Sequence, residues 1–244
     1  MRNYRSVSAV FVLLMIWEIL AVHTGNDIIM PYPMDVFRLM VSQLRSETFY
    51  LAVASTLVRA LFGLLCALLV AVTCSWMSYR SKIFEELFYP VLLLTRSVPN
   101  VSYIIIILLW FGREKSSAII TFLILFPIMY ANLYEGLRHI DEDLMKVIQI
   151  YPEKKSYLIT KIYFPLLQGA LIASISSGIS LGFKVGVMAE ILGQTPFGIG
   201  RQMNLCKISM DMTGVFAWTG WIILLLLLME MIFQLVLHRK GKVR

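Results

Sequence analysis

Arg59, Arg96, Lys184 and Glu190 are ionisable side chains that stand inside long apolar runs of this sequence. A charge at bilayer depth is costly unless it is paired or wetted, so each is a candidate for function. Lys184 and Glu190 are separated by about 120° around a helix and cannot be one-turn neighbours. Each therefore requires another partner or a water-filled pore. Lys184, near the middle of its run, suits either an anionic solute or a structural salt bridge to Glu18 or Glu230. Glu190 sits near the end of the run, close to Gly193, and reads as a packing or gating residue. Arg59 and Arg96 read as structural, snorkelling or paired. Other chemistry finds little support. Cys66, Cys74 and Cys206 form no C-x-x-C and read as small apolar packing residues. His23, His139 and His238 are far apart in sequence, which argues against zinc. There is no G-x-x-x-x-G-K-[ST], so the chain carries no P-loop for ATP. No Ser/His/Asp or paired-carboxylate arrangement stands out.

The elements that must position these residues follow from composition. Of 244 residues, 59% are hydrophobic and 15% charged, and the mean hydropathy is +0.76. Soluble domains run to about 45–50% apolar and about 25% charged, so lipid is the expected solvent. The net charge of +7 is carried in short clusters between apolar runs, with no basic face interleaved with aromatics. That pattern excludes nucleic acid as a partner and fits a bias of basic residues toward the cytoplasm.

Six apolar runs are long enough to read as spans: about Val7–Val22, Leu51–Met77, Phe84–Phe111, Ala118–Leu133, Pro165–Leu192 and Val215–Leu237. Pro99 predicts a kink or break in the third, and Pro127 lies in the fourth. Met34–Leu44 places Val36, Phe37, Met40, Val41 and Leu44 at helical spacing, as in an amphipathic helix at the membrane interface. In the fifth run Gly178, Gly182 and Gly186 recur every four residues. That spacing lets helices approach closely and marks a seam with a second copy or with the pore. With both termini cytoplasmic, thirteen Lys and Arg fall in inner segments and six in outer ones. The chain reads as one all-α membrane domain, 1–244, in a bacterial inner membrane.

The most polar stretch, Tyr134–Lys161, then lies in the cytoplasm, and long loops are usually functional. Leu144, Val147, Ile148 and Tyr151 form one apolar face of a short helix. Pro152 ends it and suits the first turn of another, with Glu153 favoured at its N-terminus. The second helix carries Tyr157, Leu158 and Ile162. The expectation is a helix–break–helix elbow between the fourth and fifth spans. It suits either a groove in a soluble partner or, through its lysines, anionic lipid.

The segment Asn132–Gly193 resembles the cytoplasmic coupling loop and following helix of ABC importer permeases, of the nitrate/sulfonate/taurine type. That family carries E-A-A-x3-G-x9-I-x-L-P before its fifth span. Ile162 and Pro165 fall on the terminal I and P, with Phe164 where Leu is usual. Lys146-Val147-Ile148 replaces Glu-Ala-Ala, and Pro152 replaces the glycine. The flanks Tyr134–Arg138 and Ala189–Gly193 are similar to the family. So, in order along the chain, are Trp17-Glu18, Met30–Pro33, Leu51–Gly63 (with Thr56, Arg59 and Gly63), Arg96–Pro99, Leu109–Gly112 and Gly198–Gly200.

The resemblance implies a permease subunit that forms the pathway for a small solute, a sulfonate, nitrate or similar nutrient. It implies a second permease copy, an extracytoplasmic solute-binding protein and two ATPase subunits. ATP and Mg would sit on those ATPases, and no cofactor on this chain. Asp141, Leu144, Lys146, Val147, Ile148, Tyr151, Pro152, Tyr157 and Leu158 would couple to them. Lys146 reverses a charge where the family has glutamate, so the facing partner surface is expected to be altered there. Lys184, Glu190, Gly178, Gly182, Gly186, Arg96 and Pro99 are the pathway or seam candidates. An ion-coupled secondary transporter is the alternative; it would show internal repeats and several midplane coupling residues. A membrane enzyme would need catalytic residues facing one another from several spans.

Overall fold

A computed structural model describes residues 2–140, 154 and 157–241. The described residues form α-helices with no strand: α1 (Arg2–Thr24), α2 (Pro33–Gln43), α3 (Glu47–Arg80), α4 (Lys82–Ser97), α5 (Asn100–Arg138), α6 (Phe164–Gly193), α7 (Ile199–Ile208) and α8 (Met212–Gly241). A π-helical turn, Leu158–Tyr163, leads into α6. Pro165 has no N–H to donate back along that turn, which accounts for a non-α register at this point.

α3, α5 and α6 make the core. The buried face of α3 reads Ala52, Thr56, Ala60, Gly63, Ala67, Ala71, Ser75 and Ser78. In lipid there is little hydrophobic drive to pair helices, so close approach of small residues supplies the packing. A Cβ at Gly63 would lie 2.6 Å from the Ala118 carbonyl oxygen of α5. Leu64, Leu125, Met129 and Leu133 fill the space beyond. α2 lies against α8: Val36 is buried and Trp221 Nε1 donates to Gln43 Oε1 at 2.9 Å, while Phe37 and Val41 remain exposed. α1 is peripheral, tied by Trp17 Nε1 donating to the Pro31 carbonyl at 3.0 Å and by the Trp17–Phe216 ring contact.

Four helical stretches are long and apolar enough to cross a membrane: Glu47–Arg80, Asn100–Arg138, Thr160–Gly193 and Met212–Leu237; the apolar part of α1, Ser8–Thr24, is shorter. The span expected over Phe84–Phe111 is not one helix. Val98 is extended, as a residue before proline must be, and Pro99 caps α5. α5 itself is 39 residues long. Straight, it would measure about 58 Å, roughly twice a ~30 Å hydrocarbon core. It is not straight. Gly112 has φ 71° and ψ −178°, and Ser116 Oγ reaches the Ile107 carbonyl at 3.2 Å. Nine helical residues would separate those groups by about 13 Å, so the chain folds back at Gly112. α5 is thus two arms, 100–111 and 113–138, that share a cluster in which Ile104 and Ile107 join Ile120 and Ile124. Helix continues to Arg138, beyond the expected start of the polar stretch.

Two ends can be distinguished. The loop end carries the turn at Gly112 and residues 194–211. The connector end carries residues 138–140 and 157–163.

Candidate functional site

Glu190 closes α6 at the loop end, and its side chain is 0% exposed. Thr56 Oγ1, more than two turns inside α3, donates to Glu190 Oε2 at 2.8 Å. Arg59, on the same face of α3, sends Nη1 to Glu190 Oε1 at 2.9 Å and to the Phe197 carbonyl at 2.7 Å. The Gly200 N–H donates to Glu190 Oε2 at 3.1 Å, and the Ile199 N–H to Thr56 Oγ1 at 2.9 Å. One carboxylate thus caps the first turn of α7, where negative charge opposes the helix dipole. It also joins α3, α6 and the 194–200 loop.

The local sequence permits this because glycine stands where a side chain could not. Gly198 has φ 140°, and a Cβ there would fall 2.3 Å from Glu190 Oε2. At Gly200 it would fall 2.5 Å from Glu190 Cβ. Gln194 takes the left-handed conformation that turns the chain out of α6. Farther along, Asp211 caps α8 by accepting from the Gly214 N–H at 2.8 Å. Burial, with Asp211 beside it, pushes the Cys206 thiol up, so this thiol stays neutral.

Lys184 is exposed on the opposite face of α6 and makes no ion pair among the described residues. Neither proposed carboxylate partner reaches it. Glu230 of α8 instead accepts a hydrogen bond from Ser180, one turn before Lys184. Glu18 is exposed on peripheral α1.

The glycine stripe is a seam within the chain, not between chains. Gly178 faces Leu64 and Met129, Gly182 faces Leu125 and Thr121, and Gly186 faces Ala60 and Ser117. Ser117 Oγ donates to the Gly186 carbonyl at 3.2 Å. With α3 and α5 on the glycine face, the exposed side of α6 is the one carrying Ser176, Ser177 and Lys184. Pro99 is exposed at the break between α4 and α5, and Arg96 belongs to the last turn of α4.

Of the coupling residues, Asp141, Leu144, Lys146, Val147, Ile148, Tyr151 and Pro152 lie outside the described residues. Tyr157 is 49% exposed. Leu158 is drawn inward, onto Leu137, Ile140 and Tyr163, with Trp76 and Tyr79 of α3 beside them. Trp76 and Tyr163 meet edge to face at 4.9 Å. Next to them lies an apolar hollow of about 290 Å³, lined by Val72, Trp76, Leu133, Leu137, Tyr163 and Leu167 among others.

The pairing of Arg59 with Glu190 is the feature that sequence reasoning missed. Its signal was present: Thr56, Arg59 and Gly63 share one helical face, and Gly198-Ile199-Gly200 was already singled out.

A bundle of apolar helices with buried small-residue seams and charges held in a closed network or turned to one face defines an integral membrane protein of the transporter class. The chain belongs to the family of binding-protein-dependent transport system inner membrane components, which residues 60–242 match. It is 24% identical to the formylaminopyrimidine transport permease protein of Halalkalibacterium halodurans over 221 residues, 88% of this chain and 87% of the relative. It is 23% identical to the taurine transport system permease protein of Escherichia coli over 201 residues, 78% and 72% of the two chains. It is accordingly a permease subunit of an ABC importer rather than an enzyme.

Proposed function

We propose that two copies of this chain, or one copy and a close paralogue, enclose a pathway for a small polar nutrient in the inner membrane. The family match over residues 60–242 carries this reading. A solute-binding protein delivers the nutrient from outside, and two ATPase subunits bearing ATP and Mg close against the 141–158 segment. Each chain crosses six times. The crossings are α1, α3, α4 with the first arm of α5, the second arm of α5, α6 and α8. Both termini are cytoplasmic, which puts the connector end inside and the loop end outside.

The relatives are named for a formylaminopyrimidine and for taurine, and a sulfonate or similar small solute is the reading for this chain. Lys184 supports it. An exposed ammonium about 13 Å from the end of a membrane helix cannot face hydrocarbon, so its face is given to a wet pathway. There it attracts a solute anion.

Co-purification of the tagged chain from its native membrane in mild detergent tests the reading. A soluble ATPase should stay bound and be lost when Leu144, Val147 and Ile148 are changed to aspartate. A chain that purifies alone, and moves solute in ATP-free liposomes under an ion gradient, would be a secondary transporter instead.

A further inference from the structure

At the loop end an open cleft of about 570 Å³ lies between two walls. One wall carries Arg113 and Glu114, immediately after the turn at Gly112. The other carries Gln194, Pro196 and Arg201. Both walls are held from behind. Ser116 Oγ donates to the carbonyls of Ile107 and Gly112, which fixes the turn that presents Arg113. The Arg59 contact to the Phe197 carbonyl and the Glu190 contact to the Gly200 N–H fix the loop and the first turn of α7, which present Gln194 and Arg201.

Two guanidiniums and one carboxylate therefore line a single recess. Among the described residues neither arginine makes a contact ion pair, with Glu114 or with any other carboxylate. A guanidinium offers paired N–H donors that match the oxygens of a carboxylate or sulfonate. The Gln194 amide adds a neutral donor at the same mouth. The volume falls within the roughly 300–1,000 Å³ of small-molecule sites, well beyond what one protein carboxylate would occupy.

We propose that this cleft is an oxyanion recess, in which a small organic anion seats its carboxylate or sulfonate between Arg113 and Arg201. Its place in transport, as the first station of the pathway on the outer side, rests on the permease reading; the binding itself does not.

The experiment uses the purified full chain in nanodiscs, without ATP and without partner proteins, and methanesulfonate as the probe. Thermal unfolding is followed as methanesulfonate replaces chloride at constant ionic strength. A saturable rise in midpoint is expected, with none for methylammonium. Arg113→Gln or Arg201→Gln should each raise the half-saturating concentration by about tenfold, a loss of about 1.4 kcal/mol. The double variant should abolish the rise. Lys207→Gln, which changes a cation outside the cleft, should not alter it. Ligand-free midpoints within about one degree of the wild type establish that the variants fold.

A wild-type chain with no saturable response overturns the proposal, as does a double variant that responds like the wild type. So does a double variant that only loses capture of the solute-binding protein, for then the recess receives a partner's carboxylate. Failure of the ATPase to co-purify would sink the permease reading and leave this titration unchanged.

Discussion

The loop end and the connector end of the core are held by different physics. At the loop end Glu190 is fully buried and accepts from Thr56, Arg59 and Gly200, so a carboxylate locks two helices and the start of a third. The donors that reach Glu190 come from both helices and the loop, and glycines at 198 and 200 leave no slack around the carboxylate. At the connector end the contacts are aromatic. Trp76, Tyr79 and Tyr163 meet at ring distances of 4.9–6.4 Å. Phe84, Phe88, Phe126, Tyr130 and Tyr134 continue the layer between α4 and α5. A hollow of about 290 Å³ and a π-helical turn adjoin this layer. A polar network has few alternative arrangements, whereas rings beside a void can repack at small cost. The difference teaches where motion can enter. A displacement of residues 158–163 would meet the softer packing first, with the loop end as the fixed point.

Four substitutions break or sharpen that contrast. The largest effect is expected from Glu190→Ala, which leaves Arg59 without its partner and uncaps α7. The loss should be about 3–5 kcal/mol, read from unfolding of the purified chain in detergent, with Glu190→Gln recovering part of it. A loss no greater than that of a surface carboxylate such as Asp35 would remove the claim of a fixed end.

Next is Gly63→Ala. Its Cβ would press on the Ala118 carbonyl, which is backbone and cannot step aside. About 1–3 kcal/mol of destabilisation is expected on the same assay. At the connector end Tyr163→Leu keeps apolar volume and deletes the edge-to-face contact with Trp76. About 0.5–1.5 kcal/mol should be lost, and hydrogen exchange should rise around residues 158–167 but not around 190–200. Protection that falls at both ends alike would show that the two are not mechanically separate.

The smallest effect is expected at Gly169→Ala. No atom lies within 4 Å of the added Cβ, and the backbone is helical. The substitution should stabilise by up to about 1 kcal/mol. A destabilisation of similar size would mean that this exposed face of α6 is covered in the assembled protein, and cross-linking between copies through cysteines at 169 and 173 would identify the cover.

Much of the fold was legible. The apolar runs became helices, Pro99 became a break, and the amphipathic pattern after Pro33 became α2. The end of the third run at Phe111 and the start of the fourth at Ala118 bracket the observed turn at Gly112. What was misjudged was direction. The glycine stripe was expected at a seam with another copy or the pore and instead packs inside the chain.

The physical reason lies in the solvent. In water, a helix announces its buried face by its polar opposite face. In lipid, the outward faces of this chain's helices are largely as apolar as the inward ones, so periodicity shows that a small-residue stripe exists but not which neighbour it meets. Hydropathy, proline chemistry and the family pattern by themselves determined that this chain is a helical membrane permease. Only the tertiary structure decided that Arg59 pairs with Glu190 across more than a hundred residues, that Gly178, Gly182 and Gly186 turn inward, and that Lys184 is left facing out. Those outcomes depend on which helices lie side by side.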